Sequence, residues 1–253
     1  MPARRGPCRA PDGSRPGAAA PTRLERVTFP AHTLLGKLSN EGVQRLFEAG
    51  RRLDHRSGDT LFLVGDPSGR VHLVLEGRVK VYSTTASGRE SVLAIRGPGD
   101  LLGELSAIDG GRRSASGTAI EPVTLLSIDT ERFAELLEID ADLAASMLRT
   151  LVTKLRDADR SRIEFGAEDT TTRVAGRLAE LAEDYGVPDG DGIRIDLPIT
   201  QQELAEWVGA SREAVAKALH TLRIRGLVRT GRREIVVQDL PGLAARGNRS
   251  ANV

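Results

Sequence analysis

The sequence predicts an α+β protein with a small antiparallel β-roll, a long central helix and a C-terminal winged helix-turn-helix. Three observations predict this order. Between Gly58 and Ile128, short runs of Val, Leu and Ile alternate with glycine turns, as in small antiparallel β-domains. The apolar period then changes from 2 to about 3.6, which is typical of a helix. Finally, Leu197–Asp239 contains a helix-capping sequence, a glycine turn and a hairpin in succession.

Composition excludes several classes of protein. The chain has 253 residues, with 36 Lys and Arg against 35 Asp and Glu, and a single cysteine, Cys8. One cysteine cannot form an internal disulfide, a four-thiolate iron–sulfur site or a structural zinc site. The longest stretch without a charged residue, Val27–Gly36, is about half the length that a membrane helix needs. We therefore expect a cytoplasmic protein without membrane spans.

The ends of the chain differ in composition from its middle. Six of the 12 prolines fall in residues 1–30, together with six Arg against Asp12 and Glu25, which predicts a flexible leader. We divide the rest into a β-roll domain at 31–139, a central helix at 140–166, a winged helix-turn-helix domain at 167–240 and a flexible tail at 241–253.

The β-roll is predicted from five apolar runs separated by Gly, Pro, Asp and Ser. Their hairpin-like spacing favours antiparallel pairing. The predicted strands are Thr60–Val64, Val71–Glu76, Arg78–Thr84, Ser91–Arg96 and Val123–Ile128.

The central helix carries an apolar seam. Its members follow each other at steps of three and four residues, with Arg162 as the one break, and they are Leu148, Leu151, Leu155, Ala158 and Phe165. Such a seam serves either to pack the helix on its own roll or to pair it with a second copy of the chain. Both alternatives remain open from the pattern alone.

The C-terminal block predicts two helices joined by a tight turn. A preceding helix at about Thr171–Tyr185 ends before a loop at Gly186–Gly192. Thr200 and Glu203 then form a capping box that opens the first helix of the pair. Gly209 supplies the positive φ of the turn, and Ser211 caps the second helix.

The second helix of the pair is amphipathic. Val215, Leu219 and Leu222 are expected to face inward, while Arg212, Glu213 and Lys217 face outward. Two further strands, Leu227–Thr230 and Glu234–Val237, flank a Gly231-Arg232-Arg233 turn and form the wing.

Charge in this block points to a polyanion partner. Gly209–Arg233 holds seven Lys and Arg against Glu213 alone, a net charge of +6. Lys and Arg displace counterions from phosphates, Arg can pair with guanine, and Glu can accept from cytosine, so we expect sequence-specific DNA binding. A winged helix used for protein contact is the alternative. The candidate DNA-binding residues are Thr200, Gln202, Ser211, Arg212, Glu213, Lys217, Arg232 and Arg233.

Two motifs carry a resemblance to a known family. One is Val208-Gly209-Ala210-Ser211-Arg212-Glu213-Ala214-Val215-Ala216-Lys217, and the other is Gly103-Glu104-Leu105-Ser106 followed by Arg113-Ser114-Ala115. Over nearly all of residues 31–240 the chain resembles the cyclic-AMP receptor protein/FNR (Crp/Fnr) family of bacterial transcription regulators. The resemblance implies a cyclic-nucleotide-binding β-roll, a long dimerisation helix, a near-palindromic operator with TGTGA-like half-sites, and RNA polymerase as a partner.

The second motif has a physical logic of its own. A Gly-Glu-Leu-Ser segment that opens a short helix presents backbone N–H groups to an anion, and Arg113 adds a fixed positive charge. The resemblance assigns Glu104 to the ribose hydroxyl, Arg113 and Ser114 to a cyclic phosphate, and Gly103 and Ser106 to close backbone approach. It also places Leu105 in this effector site. An internal Glu104–Arg113 ion pair without a ligand is the alternative.

One departure from the family pattern weakens the base-binding half of this site. Cyclic-AMP-responsive members present Thr and a small polar residue from the central helix to adenine, and these positions here are Ala158 and Asp159. The effector is therefore expected to be cAMP or a related cyclic nucleotide, bound weakly, or the pocket is vestigial.

Other chemistries lack their residues. No glycine-rich phosphate loop with its lysine and no nucleophile with a suitably spaced base is present, so we do not expect an enzyme. The four histidines, His32, His55, His72 and His220, are too scattered for a haem site. We expect His72 to be a packing or surface residue and His220 to be solvated or to touch a phosphate.

Overall fold

The structure is a computed structural model that describes residues 29–84 and 90–247, with the backbone alone for residues 160–167. The predicted leader therefore lies outside the described residues, apart from Phe29 and Pro30. Within these ranges no helix combines the length and the apolar character that a membrane crossing requires.

The N-terminal domain is the predicted β-roll, built from two four-stranded antiparallel sheets. The sheets have the strand orders β1-β8-β3-β6 and β2-β7-β4-β5. The strands are β1 (Arg51–His55), β2 (Thr60–Phe62), β3 (Arg70–Glu76), β4 (Val79–Thr84), β5 (Glu90–Arg96), β6 (Leu101–Leu102), β7 (Ser116–Ala119) and β8 (Val123–Asp129). The helices of this domain are α1 (Leu34–Lys37), α2 (Asn40–Ala49), α3 (Glu104–Asp109) and α4 (Thr130–Ile139).

All five predicted strands are present, and three further strands were not predicted. Strand β1 has Leu53 as its single strong apolar residue, β6 is two residues long, and β7 consists of small residues. Their place in the sheets comes from pairing with longer neighbours, such as Leu53 opposite Leu125, rather than from an apolar pattern of their own.

The central helix α5 (Ala141–Ala167) is separated from α4 by Asp140. The Asp140 carboxylate accepts the backbone N–H groups of Asp142 and Leu143, each at 3.1 Å, and so begins the new helix. Leu143 and Met147 on its inner face are buried in the same cluster as Phe133 and Leu126 of the roll. The first half of α5 is thus part of the roll core.

The C-terminal domain begins after a two-residue link at Glu168 and Asp169. Its helices are α6 (Thr170–Tyr185), α7 (Gln201–Val208), α8 (Arg212–Ile224) and α9 (Leu240–Arg246), and its strands are β9 (Gly186–Asp189), β10 (Gly192–Ile195), β11 (Val228–Gly231) and β12 (Glu234–Val237). The four strands form one antiparallel sheet in the order β11-β12-β10-β9. This is a winged helix-turn-helix.

Two predictions in this domain were wrong. The predicted loop at Gly186–Gly192 is a hairpin of β9 and β10, turned at Gly190 with φ of 59°, and β10 extends the wing sheet by pairing with β12. The first part of the predicted flexible tail is instead α9, whose Leu243 is fully buried and whose end at Gly247 lies against Gly176 of α6, and residues 248–253 of that tail lie outside the described residues. A single buried leucine carries too little periodicity to reveal such a short helix.

The core of the C-terminal domain includes Trp207, the only tryptophan of the chain. Its ring is 6% exposed, and the Arg177 guanidinium carbon lies 4.9 Å from its centroid. Val92 and Ile95 of β5 are buried in this same apolar cluster, so the C-terminal domain packs directly on the roll.

Candidate DNA interface and effector pocket

The helix-turn-helix is held together by the predicted caps. The Thr200 hydroxyl accepts the Glu203 N–H at 3.1 Å, and the Glu203 carboxylate accepts the Thr200 N–H at 2.9 Å, which completes the capping box of α7. Gly209 has φ of 60° and ends this helix, and the Ser211 hydroxyl accepts the Ala214 N–H at 3.1 Å to begin α8. A side chain at position 209 would strain the turn between the helices.

The outward face of α8 is the one that the sequence predicted. Val215, Leu219 and Leu222 are buried, whereas Arg212 and Lys217 are exposed. Glu213 is also exposed, and its own backbone N–H, followed by the Ser211 hydroxyl, lowers the pKa of its carboxyl group. An ionised carboxylate is repelled by phosphate, whereas it can accept a hydrogen bond from a cytosine N4 amine.

The remaining predicted DNA contacts lie around α8. Ser211 and Gln202 are exposed, Thr200 is half-buried, and Gln202 donates to Glu206 at 2.9 Å. Arg232 and Arg233 form the exposed tip of the wing, and Arg233 has φ of 56°. His220 is exposed, with its Nδ1 2.9 Å from an Arg223 nitrogen, and both roles expected for it stay open.

The second predicted site centres on Arg113, which is 6% exposed. Its Nη1 donates to the Gly103 carbonyl oxygen at 3.1 Å and to the Ser106 hydroxyl at 3.3 Å, and its Nη2 donates to the Arg70 carbonyl oxygen. Gly103 opens α3 with φ of 79°, and a Cβ there would lie 1.8 Å from Arg113 Nη1. We call Gly103, Ser106 and Arg113 the cradle.

The predicted alternative, an internal Glu104–Arg113 ion pair, was wrong. Glu104, which is 5% exposed, instead accepts from Lys154 Nζ of α5 at 2.5 Å, and the same ammonium donates to the Leu101 carbonyl oxygen at 3.3 Å. Burial, followed by the nearby Arg96, lowers the pKa of Lys154. The hydrogen-bond acceptors of Arg113 are two carbonyl oxygens and the Ser106 hydroxyl rather than the Glu104 carboxylate.

Lys154 is the residue that the sequence analysis missed. It lies on the inner face of α5, three residues after Leu151, and nothing in its local pattern separates it from an exposed lysine. Only the fold shows that its ammonium group reaches the pocket motif, which lies 50 residues earlier in the chain.

The other predicted effector residues lie further from the cradle. Ser114 and Leu105 are exposed at its edge, and Ala158 and Asp159 are exposed on α5, one turn beyond Lys154. Among the described side chains, no hydrogen bond or ion pair joins Ala158 or Asp159 to the cradle.

The buried His72 has a structural role in the roll. Burial, followed by the charge of Arg113, lowers the pKa of His72 to about 3, so this histidine is neutral at physiological pH. Its ring stacks on the Phe62 ring with 6.3 Å between the two centroids. The Arg113 guanidinium carbon lies 4.8 Å from the centroid of the same Phe62 ring. His72 is the packing residue that the sequence predicted.

The predicted seam of α5 divides between two faces. Leu148 and Leu155 are 64% and 63% exposed, and Val152, which the sequence analysis missed, is 46% exposed between them. Leu151 is partly buried and packs on the roll core instead. The side chain of Phe165 lies outside the described part of α5. The exposed stripe is therefore Leu148, Val152 and Leu155.

Comparisons with known proteins decide the family. Residues 52–140 match the model of the cyclic nucleotide-binding domain, and residues 172–246 match that of the Crp-like helix-turn-helix domain. The chain is 34% identical over 194 residues to a CRP-like cAMP-activated global transcriptional regulator of Mycobacterium tuberculosis, covering 77% of this chain and 87% of that protein. The chain belongs to the Crp/Fnr family of transcription regulators.

Further Crp/Fnr members are similar at the level of sequence or fold. The cyclic AMP receptor protein of Thermus thermophilus is 34% identical over 80% of this chain and 90% of its own length. The c-di-GMP responsive global regulator CLP of Xanthomonas campestris has a TM-score of 0.71 and 25% identity, covering 79% of this chain and 100% of that chain. As a Crp/Fnr regulator, this protein binds DNA through its winged helix-turn-helix and is not an enzyme.

Proposed function

We propose that the protein is a cytoplasmic homodimer that reads a near-palindromic operator and responds to a small cyclic nucleotide in its roll. The proposal of operator reading rests on the outward face of α8. Arg212 and Lys217 lie exposed beside the ionised Glu213, on a helix that α7 and the turn at Gly209 hold rigidly. A helix with this arrangement fits the major groove and distinguishes base edges as well as phosphates.

The dimer is inferred from the exposed stripe Leu148, Val152 and Leu155. These residues are spaced by four and three positions, so they form one continuous apolar edge along α5. Pairing two such edges about a two-fold axis removes them from water and relates the two copies of α8 by that axis. The expected operator then has half-sites about one helical turn apart, of the TGTGA-like type, and RNA polymerase is the expected partner at the promoter.

The free N–H donors of Arg113 favour an anionic effector. The two cations of the site, Arg113 and Lys154, interact with the carboxylates of Glu104 and Asp66, so net charge alone does not select an anion. Arg113 has five N–H donors, and three are used by Gly103, Ser106 and Arg70, which leaves two for a ligand oxygen. A carboxylate accepts several hydrogen bonds, so Glu104 can hold both Lys154 and a ribose hydroxyl.

A related regulator with a vestigial pocket is the second candidate. It is favoured by Ala158, which has no hydroxyl for a nucleobase, and by the fact that protein groups already satisfy Glu104 and most of Arg113. Relatives also differ in effector, since one is named as cAMP-activated and another as c-di-GMP responsive.

Two measurements test these proposals. Selection from random DNA should return a two-fold motif, and a set of unrelated sequences would refute specific reading by a dimer. Calorimetry with cAMP, cGMP and c-di-GMP, with 5′-AMP as the acyclic control, should detect binding of one cyclic nucleotide. Ala158→Thr should tighten cAMP binding by about 0.5–1.5 kcal/mol, the net value of one hydrogen bond. If no cyclic nucleotide binds at millimolar concentration, and none changes DNA affinity, the vestigial pocket is the correct candidate.

A further inference from the structure

The C-terminal domain is joined to the roll by a covalent link and by a non-covalent junction. The covalent attachment is the short link at Glu168 and Asp169 between α5 and α6. The second is a non-covalent junction on β4 and β5, where Val92 and Ile95 are buried against the C-terminal core. Three polar residues at this junction, Arg78, Tyr185 and Asp196, join the domains across it.

Arg78 forms the ionic part of the junction. On its own domain, its Nε and Nη2 donate to the two Glu121 carboxylate oxygens at 2.6 and 2.9 Å. Across the junction, its Nη1 donates to the Asp196 carbonyl oxygen, and its Nη2 lies 3.5 Å from Asp196 Oδ2. The bidentate contact with Glu121 fixes the guanidinium plane, so the direction in which Arg78 holds Asp196 is also fixed.

Tyr185 forms the second polar contact. It is the last residue of α6, and its hydroxyl donates to the Ile95 carbonyl oxygen of β5 at 3.2 Å. Burial, followed by the charge of Asp100, raises the pKa of this hydroxyl, which therefore keeps its proton at physiological pH. The contact is a lasting neutral hydrogen bond rather than a pH-dependent one.

The two contacts act on one rigid unit of the C-terminal domain. The Asp196 N–H donates to the Tyr185 carbonyl oxygen at 2.8 Å, so both junction residues are tied together by the backbone. Two separate attachment points on a rigid body, in addition to the link after α5, restrict its rotation about that link. In this arrangement the outward residues of α8 and the wing tip remain exposed.

We propose that Arg78, Tyr185 and Asp196 set the half-site spacing that the dimer accepts, by holding each C-terminal domain in one orientation on its roll. This inference rests on the proposed reading of a two-fold operator by a homodimer. Because none of the three residues belongs to the outward face of α8 or to the wing tip, they are positioning residues. Their loss leaves each α8 able to read its half-site and removes the constraint between the two.

The test compares Tyr185→Phe and Arg78→Gln, singly and together, with Arg194→Gln. Arg194→Gln is the matched control for Arg78→Gln. It removes the same positive charge from Asp196, which Arg194 Nη1 contacts at 3.1 Å, but Arg194 belongs to the same domain as Asp196. Each protein is titrated against the selected operator, against operators with one base pair added or removed between the half-sites, and against a duplex with a single half-site. Thermal melting and sedimentation check that each variant is folded and dimeric.

The double variant should bind the native operator about tenfold more weakly, the effect of losing roughly one to two hydrogen bonds. It should bind the single half-site as the wild type does, and it should lose less affinity than the wild type when the spacing is changed. Tyr185→Phe, which keeps the ring, should show the same pattern at smaller size, and Arg194→Gln should match the wild type.

Two results overturn the inference. An unchanged spacing preference in the folded double variant means that the junction does not orient the domains. Tighter binding at every spacing means that the junction is a brake rather than a positioning device. A wild-type protein that binds no two-fold motif would instead refute the proposed function, so the two failures are distinguishable.

Discussion

Replacing Lys154 with methionine keeps a long unbranched side chain but removes the ammonium group that neutralises Glu104. The Glu104 carboxylate then remains 5% exposed without its partner at 2.5 Å, and the Leu101 carbonyl oxygen loses a donor. Breaking a buried ion pair on one side costs about 3–5 kcal/mol. Because the Lys154 side chain is 23% exposed, water screens part of this, and we expect a loss of about 2–3 kcal/mol.

A double-mutant cycle isolates the ionic contribution. Lys154→Met combined with Glu104→Gln removes both charges, so its cost should fall to about 1 kcal/mol, below that of Lys154→Met alone. Urea denaturation followed by far-UV circular dichroism measures the free energy of unfolding of each variant. Arg132→Met is the surface control, because Arg132 and Glu135 form a 2.7 Å pair with side chains 55% and 60% exposed. Its cost should stay below about 0.5 kcal/mol. If Lys154→Met costs no more than this control, the reasoning about a buried counter-charge is wrong.

Three further predictions concern the dimer, the DNA and the link between α5 and α6. Leu155→Asp should give a monomer in sedimentation velocity, because it places two carboxylates against each other across the two-fold axis. The control Ile224→Asp, at a similarly exposed apolar residue of α8, should leave the dimer intact. A dimeric Leu155→Asp protein would exclude the stripe as the interface. Arg212→Ala should cost about 1–3 kcal/mol of binding free energy on the specific operator and relax the preference at one base pair. Arg232→Ala should weaken binding to all DNA sequences alike and lower the salt dependence of the affinity by about one counterion. Equal losses from both variants would contradict direct reading by α8. The backbone N–H of Thr172 and the Arg246 guanidinium lower the pKa of Asp169 to about 2, so its stabilising effect is complete above its unfolded pKa near 3.8 and is lost as the pH falls through 2. Asp169→Asn should therefore lower the free energy of unfolding by up to about 1 kcal/mol at pH 7, after allowance for solvent screening, and by progressively less below pH 4. A loss of stability that does not change with pH would show that the Asp169 charge is not involved.

Local patterns predicted the elements whose signal lies in neighbouring residues. The capping box at Thr200 and Glu203, the turn at Gly209 and the inward face of α8 each follow from residues three or four positions apart, and each is confirmed. The motif at Gly103–Ser106 was likewise placed correctly at the start of a short helix. The family resemblance added what these patterns alone could not, the likeness of the roll to a cyclic nucleotide-binding domain.

The features that were missed depend on contacts between distant parts of the chain. The partner of Glu104 is 50 residues away, and the partner of Arg78 across the junction is 118 residues away. Leu151 and Leu155 look alike in the heptad pattern, yet the first packs on the roll core and the second stays exposed, which depends on the residues of the roll that lie beside α5. Helix α9 depends on one buried leucine and on the close approach of Gly247 to Gly176.

The position of Trp207 gives the protein an optical reporter of the C-terminal core and of its junction with the roll. An indole buried beneath the Arg177 guanidinium emits at shorter wavelength than one in water, and the chain has no other tryptophan to mask it. The cradle residues Gly103, Ser106 and Arg113 are not in the apolar cluster of Trp207, so a shift of its emission wavelength on nucleotide addition, after correction for nucleotide absorbance, reports a change transmitted from the cradle to that cluster. A single fluorescence titration thus separates an effector that merely binds from one that signals.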